Sequence, residues 1–250
     1  MRWLTIPDLQ VPDEDRKAVE SVLRFVDEYQ PDGLLCVGDE LDSPEPSRWN
    51  KGYAGEYAGT LQKSIDRCNS LLSDFREALG PDRPFHLMRS NHGERIRTYL
   101  SRYAPALGSL RALDYAALLG LSDLGITYHE QPFEFAPGWM LAHGDEGSMT
   151  QTPGGTALSL AKKWGKSVVC GHTHRMGLQH HHQYVNSKAS SLLFGMEVGH
   201  LMDLKKANYL KAGSSNWQQA VGLIEVDGKR VQPTLVPIFN SAVQYQGVTF

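Results

Sequence analysis

The stretch Ser167-Val168-Val169-Cys170-Gly171-His172-Thr173-His174 decides how the rest of the chain is read. Its first half is a short apolar run bounded by glycines, the pattern of a buried strand. Its second half places imidazoles at i and i+2. On an extended segment those side chains point to the same side, about 6–7 Å apart at about 3.3 Å per residue. That separation suits two histidines that each hold one member of a metal pair about 3.5–4 Å apart. A surface turn containing two histidines would read the same in isolation, so the surrounding segments must arbitrate.

Upstream, residues 156–164 read as a helix, and residues 126–129, 133–135 and 139–142 as short strands with Pro-Gly turns. Residues 94–125 carry short helices broken at Pro105 and Gly108. At the start of the chain, Arg2 to Ile6 is a first strand. Pro12-Asp13-Glu14-Asp15 then opens a helix, because proline suits a first turn and acids favour the positive end of the helix dipole. Ala18, Val22, Val26 and Tyr29 recur every three to four residues and give that helix one buried face. Pro31-Asp32-Gly33 ends it, and residues 34–37 form a second strand. Strand, helix and strand in this order make a βαβ unit with parallel pairing. A glycine-containing loop rich in aromatic and basic residues runs from Leu41 to about Gly59, before a helix over residues 60–79 and a third strand over 84–88. Beyond His174 the pattern is mostly strand-like, ending in residues 221–226 and 231–238. The chain is therefore α/β in its first half and β-rich in its second, with no internal repeat and no linker.

Composition narrows the class. Of 250 residues, 41% are hydrophobic and 21% charged, with a net charge of -3, which is ordinary for a globular protein. No run of 18 apolar residues exists to span a membrane, and the N-terminal apolar stretch is too short for a signal peptide. Cys36 and Cys170 sit in apolar runs and Cys68 has no paired spacing, so buried thiols are expected rather than disulfides. The expectation is a soluble, cytoplasmic protein. Its slightly acidic balance argues against stable binding of duplex nucleic acid.

Ligand-type residues fall just past the strand ends. Asp8 and Gln10 follow the first strand, Gly38-Asp39 the second, Asn91-His92 the third, His143 the run 139–142, and His172 and His174 the run 167–170. Binding sites of open α/β sheets lie off the carboxyl ends of strands. Five segments delivering polar groups to one rim is a poor match to isolated turn residues.

This order resembles the calcineurin-like metallophosphoesterase superfamily, whose pattern is D-x-H, G-D-x-x-D, G-N-H-E/D, a lone His and G-H-x-H. The corresponding stretches here are Asp8-Leu9-Gln10, Gly38-Asp39-Glu40-Leu41-Asp42, Ser90-Asn91-His92-Gly93-Glu94, His143 and Gly171-His172-Thr173-His174. The surrounding text is similar to phosphoesterases encoded by actinobacterial phages, which would place the protein in a host cytoplasm. The resemblance implies a single domain over residues 1–250: a four-layer αββα sandwich of two mixed β-sheets flanked by helices.

It also implies roles. Asp39 would bridge two divalent metals, with Asp8 and His174 on the first and Asn91, His143 and His172 on the second. His92 would face the substrate, to protonate the leaving oxygen or stabilise phosphoryl charge. Asp42 would orient His92 through its other ring nitrogen. A hydroxide activated between the cations would attack phosphorus in line. Ligands without cysteine suit Mn²⁺ first, with Fe, Zn²⁺ or Ni²⁺ as alternatives. Two departures stand out: Gln10 replaces the family histidine, weakening the first site, and Ser90 replaces the glycine before Asn91.

Arg48 and Trp49 in the loop after Asp42, and Arg89 beside Asn91, are candidates for binding substrate. The run His180-His181-His182 reads as alternately exposed and buried strand histidines. The phosphoprotein-phosphatase signature would place an arginine just after Asp42, where this chain has Ser43-Pro44. The expected activity is therefore a metal-dependent phosphodiesterase on small nucleotides, with 2′,3′-cyclic nucleotides among them. The rivals are a nuclease acting on single strands and a degenerate, non-catalytic binding module. A homo-oligomer is compatible with the sequence.

Overall fold

A computed structural model of the chain describes residues 1–207 and 215–250. The first half alternates strands and helices: β1 (Arg2–Ile6), α1 (Arg16–Tyr29), β2 (Gly33–Cys36), α2 (Leu61–Leu79), β3 (Phe85–Met88), α3 (Glu94–Tyr103) and α4 (Tyr115–Leu118). Then come β4 (Thr127–His129), β5 (Phe133–Ala136), β6 (Trp139–Leu141), α5 (Gly155–Trp164) and β7 (Ser167–Cys170). The remainder is β8 (Met176–Val185), β9 (Lys188–Val198), β10 (Ala220–Asp227), β11 (Arg230–Phe239), β12 (Ala242–Tyr245) and β13 (Val248–Thr249).

These strands form two mixed sheets. The larger has the order β13-β12-β11-β10-β1-β2-β3-β4, and the smaller β5-β6-β7-β9-β8. β1 to β4 pair in parallel, while β10 joins β1 antiparallel. In the smaller sheet β7 lies parallel between β6 and β9.

Three apolar clusters mark the interfaces of four layers. Leu4, Ile6, Leu34 and Cys36 pack with Val22, Phe25, Leu72 and Phe75 of α1 and α2, on the outer face of the larger sheet. Trp3, Leu35, Val37, Val169 and Met196 fill the space between the sheets. Val168 and Cys170 meet Ala157, Leu160 and Ala161 of α5 on the far side. Successive residues of β2 and β7 therefore serve opposite layers, the period-2 alternation of a strand covered on both faces. This is the expected αββα sandwich.

Two local expectations need correction. The first helix begins at Arg16, not at Pro12, with Asp15 as its N-cap accepting from the Lys17 and Ala18 amides at 3.1 and 3.2 Å. The backbone of residues 10–13 is committed elsewhere. Gln10 and Val11 amides donate to the carbonyls of Asp39 and Glu40 at 2.9 and 3.0 Å, tying the two ligand-bearing loops together. Second, His172 and His174 do not sit on extended backbone. Their φ values are 65° and 57°, so the chain coils as it leaves β7. The His180–His182 run does alternate on β8: His180 and His182 are exposed, with rings 5.7 Å apart, and His181 is half-buried. All three cysteines are free and buried.

Candidate metal centre

The ligand-type residues collect at the carboxyl ends of β1, β2, β3, β6 and β7. Ligand atoms of Asp39, His143 and His172 lie within 4.8 Å of one another, as do those of Asp8, Asp39 and His174. Asp39 belongs to both groups. Asp8, Asp39, His143 and His174 are buried and His172 partly so.

The local backbone that achieves this is strained. Gln10, Asp39, His172 and His174 all lie in the left-handed region, at φ 56°, 52°, 65° and 57°. Such conformations cost of order 1–3 kcal/mol each for non-glycine residues and cluster at functional sites. Glycine is required at 171, where a Cβ would collide with Asp8 Oδ1. That contact brings the Asp8 carboxylate against the β7 loop, where Oδ2 accepts from the His172 amide at 2.8 Å.

The donor set fits cations. The Val37 carbonyl can only accept, so His143 donates to it from Nδ1 at 2.9 Å. Its Nε2 then faces Asn91 Oδ1 at 2.8 Å and Asp39 Oδ1 at 3.4 Å, both acceptors. Only a positive charge at that point, proton or metal, satisfies all three atoms. Without metal the proton does so: burial works to lower the His143 pKa, but Asp39 outweighs it and raises the pKa to about 10. Burial opposes ionisation of Asp39 too, yet His92 and His143 hold it well below the carboxylate range. Asp8 Oδ1 and His174 Nδ1 are buried with no hydrogen-bond partner among the described residues. Buried charges are as a rule paired or bound to metal, so this carboxylate oxygen is a candidate cation ligand.

Gln10 also reaches the cluster, with its amide nitrogen inward: Nε2 donates to Asp39 Oδ2 at 3.1 Å and lies 3.4 Å from His174 Nε2. An amide nitrogen is not a metal ligand. Ligation through Oε1 therefore requires the amide to turn over.

His92 sits at the rim. Its Nδ1 is 2.7 Å from Asp42 Oδ1, and its Nε2 is 2.7 Å from the Arg95 guanidinium. Arg95 also donates to Asp42 Oδ1 at 3.0 Å, closing a triangle of acid, imidazole and guanidinium. Burial pushes the Asp42 carboxyl up, but His92 and Arg95 together hold it below its usual value. Since Arg95 only donates, Nε2 is the acceptor and the proton lies on Nδ1, close to Asp42 Oδ1 but out of hydrogen-bond alignment with it. Arg48 and Trp49 line a cavity beside Asn91. Arg89 instead pairs with Asp145 at 3.3 Å, which already neutralises it.

Two supporting residues escaped the sequence reading. Glu197 of β9 is fully buried and accepts from the Thr156 amide at 2.8 Å and the Thr173 hydroxyl at 2.7 Å. It thus fixes the residue between His172 and His174 to the N-terminus of α5. Glu40, next to Asp39, accepts from Tyr115 at 2.5 Å, and burial raises its pKa to about 7. Neither residue has a local motif that announces it.

No family model matches the chain. The chain is 36% identical over 250 residues to the Gene 54 protein of Mycobacterium phage D29, covering 98% of this chain and 97% of that one. The chain belongs to the family of the mycobacteriophage Gene 54 proteins. The Gene 54 protein of Mycobacterium phage L5, 35% identical over the same coverage, is a second relative in this family. Among solved structures, Vps29 from Chaetomium thermophilum matches with a TM-score of 0.51 at 12% identity, over 100% of this chain and 98% of that one. At that identity the likeness speaks to fold alone. The Gene 54 family chain shares the αββα fold of Vps29, and its ligand-type residues lie at the carboxyl ends of the strands. No helix among the described residues is long and apolar enough to cross a membrane.

Proposed function

We propose that this protein is a metal-dependent phosphodiesterase acting on small nucleotide substrates. The observation that carries the reading is Asp39: one buried carboxylate shared by two ligand clusters that face each other across it. Asp8, His174 and Asp39 would hold one ion, with Gln10 beside them. Asn91, His143, His172 and Asp39 would hold the other. Hard oxygen donors mixed with imidazole and free of thiolate favour Mn²⁺. Bound cations supply charge neutralisation of the phosphoryl group and an acidified water.

The chain's own groups supply the rest. His143 presents its Nε2 lone pair once its proton is displaced, and His172, whose pKa burial and then His143 lower, offers a ring nitrogen. Asp42 beside Nδ1 favours the His92 tautomer whose Nε2 lone pair meets Arg95, 3.8 Å from Asp39 Oδ2 of the cluster. For His92 to donate to a leaving oxygen, Arg95 must give up its place at Nε2 and that nitrogen must take up a proton, making the ring an imidazolium beside Asp42, before the substrate binds there. The exposed aromatics Trp49, Tyr53 and Tyr57 (72%, 71% and 77% accessible) favour a second reading, a nuclease that stacks single-stranded bases.

Metal analysis of the purified protein tests the first reading, followed by assays on monoesters, diesters and cyclic phosphates with added Mn²⁺. Two bound ions and preference for diesters are expected. No metal uptake at saturating Mn²⁺ would sink the enzymatic reading. A rate that climbs with oligonucleotide length would favour the nuclease.

A further inference from the structure

The cavity beside the metal cluster has a chemistry of its own. It has a volume of about 280 Å³, close to the lower bound of about 300 Å³ for small-molecule sites. Asn91 and Arg95 form the side next to the cluster. Arg48, Lys51, Arg102 and Tyr103 line it as well, with no carboxylate lining it among the described residues. The nearby acids are already engaged: Asp42 with His92 and Arg95, and Glu56 with Lys51 and Tyr99.

Charges and rings alternate along this wall. The Arg48 guanidinium lies 4.7 Å from the Trp49 ring centroid, and Lys51 Nζ lies 3.9 Å from that of Tyr103. Tyr99 and Tyr103 pack 4.9 Å apart. Trp49 is 72% exposed, with a cation on one face, so its surface is available to a planar group. Lys51 and Arg95 are already paired with Glu56 and Asp42, but Arg48 and Arg102 have no carboxylate partner among the described residues. They call for a second anion, and the rings call for a flat aromatic next to it.

We infer that this cavity is a subsite for a nucleoside monophosphate, the leaving half of the diester. This assignment rests on the proposed phosphodiesterase reading. The direction follows from Arg95, which touches His92 Nε2 and also lines the cavity. If His92 serves the leaving oxygen, what hangs from that oxygen extends past Arg95 into the subsite. Arg48 and Arg102 meet its phosphate, and Trp49 or Tyr103 stacks its base. A substrate whose leaving half is a nucleotide gains both contacts, whereas a simple aryl diester gains only stacking.

Titration calorimetry of the full-length protein with adenosine 5′-monophosphate tests this, with and without EDTA. Adenosine and ribose 5-phosphate, each carrying half of the recognition, serve as controls. Binding is expected in both conditions, with each control weaker by about tenfold or more, the scale of one lost stacking or phosphate contact. Arg102→Gln and Trp49→Ala, both at exposed side chains, should each weaken the nucleotide to a similar degree while the melting temperature holds. Loss of binding in EDTA would place the nucleotide on the metals and overturn the subsite. So would binding that neither substitution changes, or no binding at all. Because the readout is binding, a protein that binds the nucleotide but hydrolyses no diester overturns the proposed function instead.

Discussion

Asp8 and Gly171 are in contact through the absence of a side chain. The Asp8 carboxylate occupies the space a Cβ at residue 171 would need, and its other oxygen accepts from the His172 amide at 2.8 Å. A carboxylate from the first strand thereby meets the histidines that follow β7, across the sandwich.

Gly171→Ala should therefore act on metal binding more than on folding. The extra methyl must push aside both Asp8 and the buried Val37 side chain, an overpacking change that typically costs about 1–3 kcal/mol. Mn²⁺ affinity, measured by calorimetry, should fall at the Asp8–His174 site, while circular dichroism still reports a folded chain. Wild-type affinity in the variant would show that Asp8 is no ligand.

Glu197→Gln probes the support beneath the two histidines. The carboxylate accepts from Thr156 and Ala157 amides and from the Thr173 hydroxyl, all in the dry interior. An amide keeps the shape but turns one acceptor into a donor facing another donor. Leaving buried donors unmatched costs about 1–3 kcal/mol. A lower melting temperature together with weaker metal uptake is the expected pair of results; a lower melting temperature alone would mean that Glu197 supports α5 only.

His92→Ala should leave two metals bound and slow a diester with a poor leaving group about 10²–10⁴-fold, the usual worth of a general acid. A nitrophenyl diester, which needs little protonation, should lose far less. Asp42→Asn should show a milder form of the same pattern, because the ring is still present but no longer held. Equal loss on both substrates would mean that His92 stabilises the phosphoryl group rather than donating a proton.

Gln10→His replaces an amide that now donates to Asp39 with an imidazole that can ligate. First-site affinity should rise in a Mn²⁺ titration. Unchanged or weaker binding would place Gln10 outside the coordination sphere.

The β3–β4 edge of the larger sheet gives a pH prediction independent of metal. His86 Nδ1 and His129 Nε2 lie 3.0 Å apart, and His129 stacks on Phe133 with centroids 3.6 Å apart. Burial, then the neighbouring His129, lowers the His86 pKa to about 4. The unfolded chain, titrating near about 6.5, binds more protons than the folded one between those values. Stability should thus fall as pH drops from about 6.5 to about 4, with no further loss from this group below that. Urea midpoints across this range should show the slope, and His86→Gln should flatten it. An unchanged slope in the variant would assign it to other groups.

What the sequence determined by itself was element order and the candidate ligand-type residues. Strand patterns, helix periodicity and the residues after each strand are local properties, and strand carboxyl ends in an α/β fold share one rim. Asp8, Asp39, Asn91, His143, His172 and His174 could be named before any coordinates. Only the tertiary structure decided the rest. Leu34 and Leu35 are equally apolar, so nothing local says that one meets α1 and α2 while the other meets the second sheet. The left-handed backbone at His172 and His174 is unfavourable on its own, and contacts from Asp8 and Glu197, distant in sequence, accompany it. Arg95 on His92 and the aromatic wall beside it arise because α3 packs against the loop after Asp42. Pairings between residues tens to hundreds of positions apart leave no periodic mark in one sequence; they exist only once burial has chosen which faces meet.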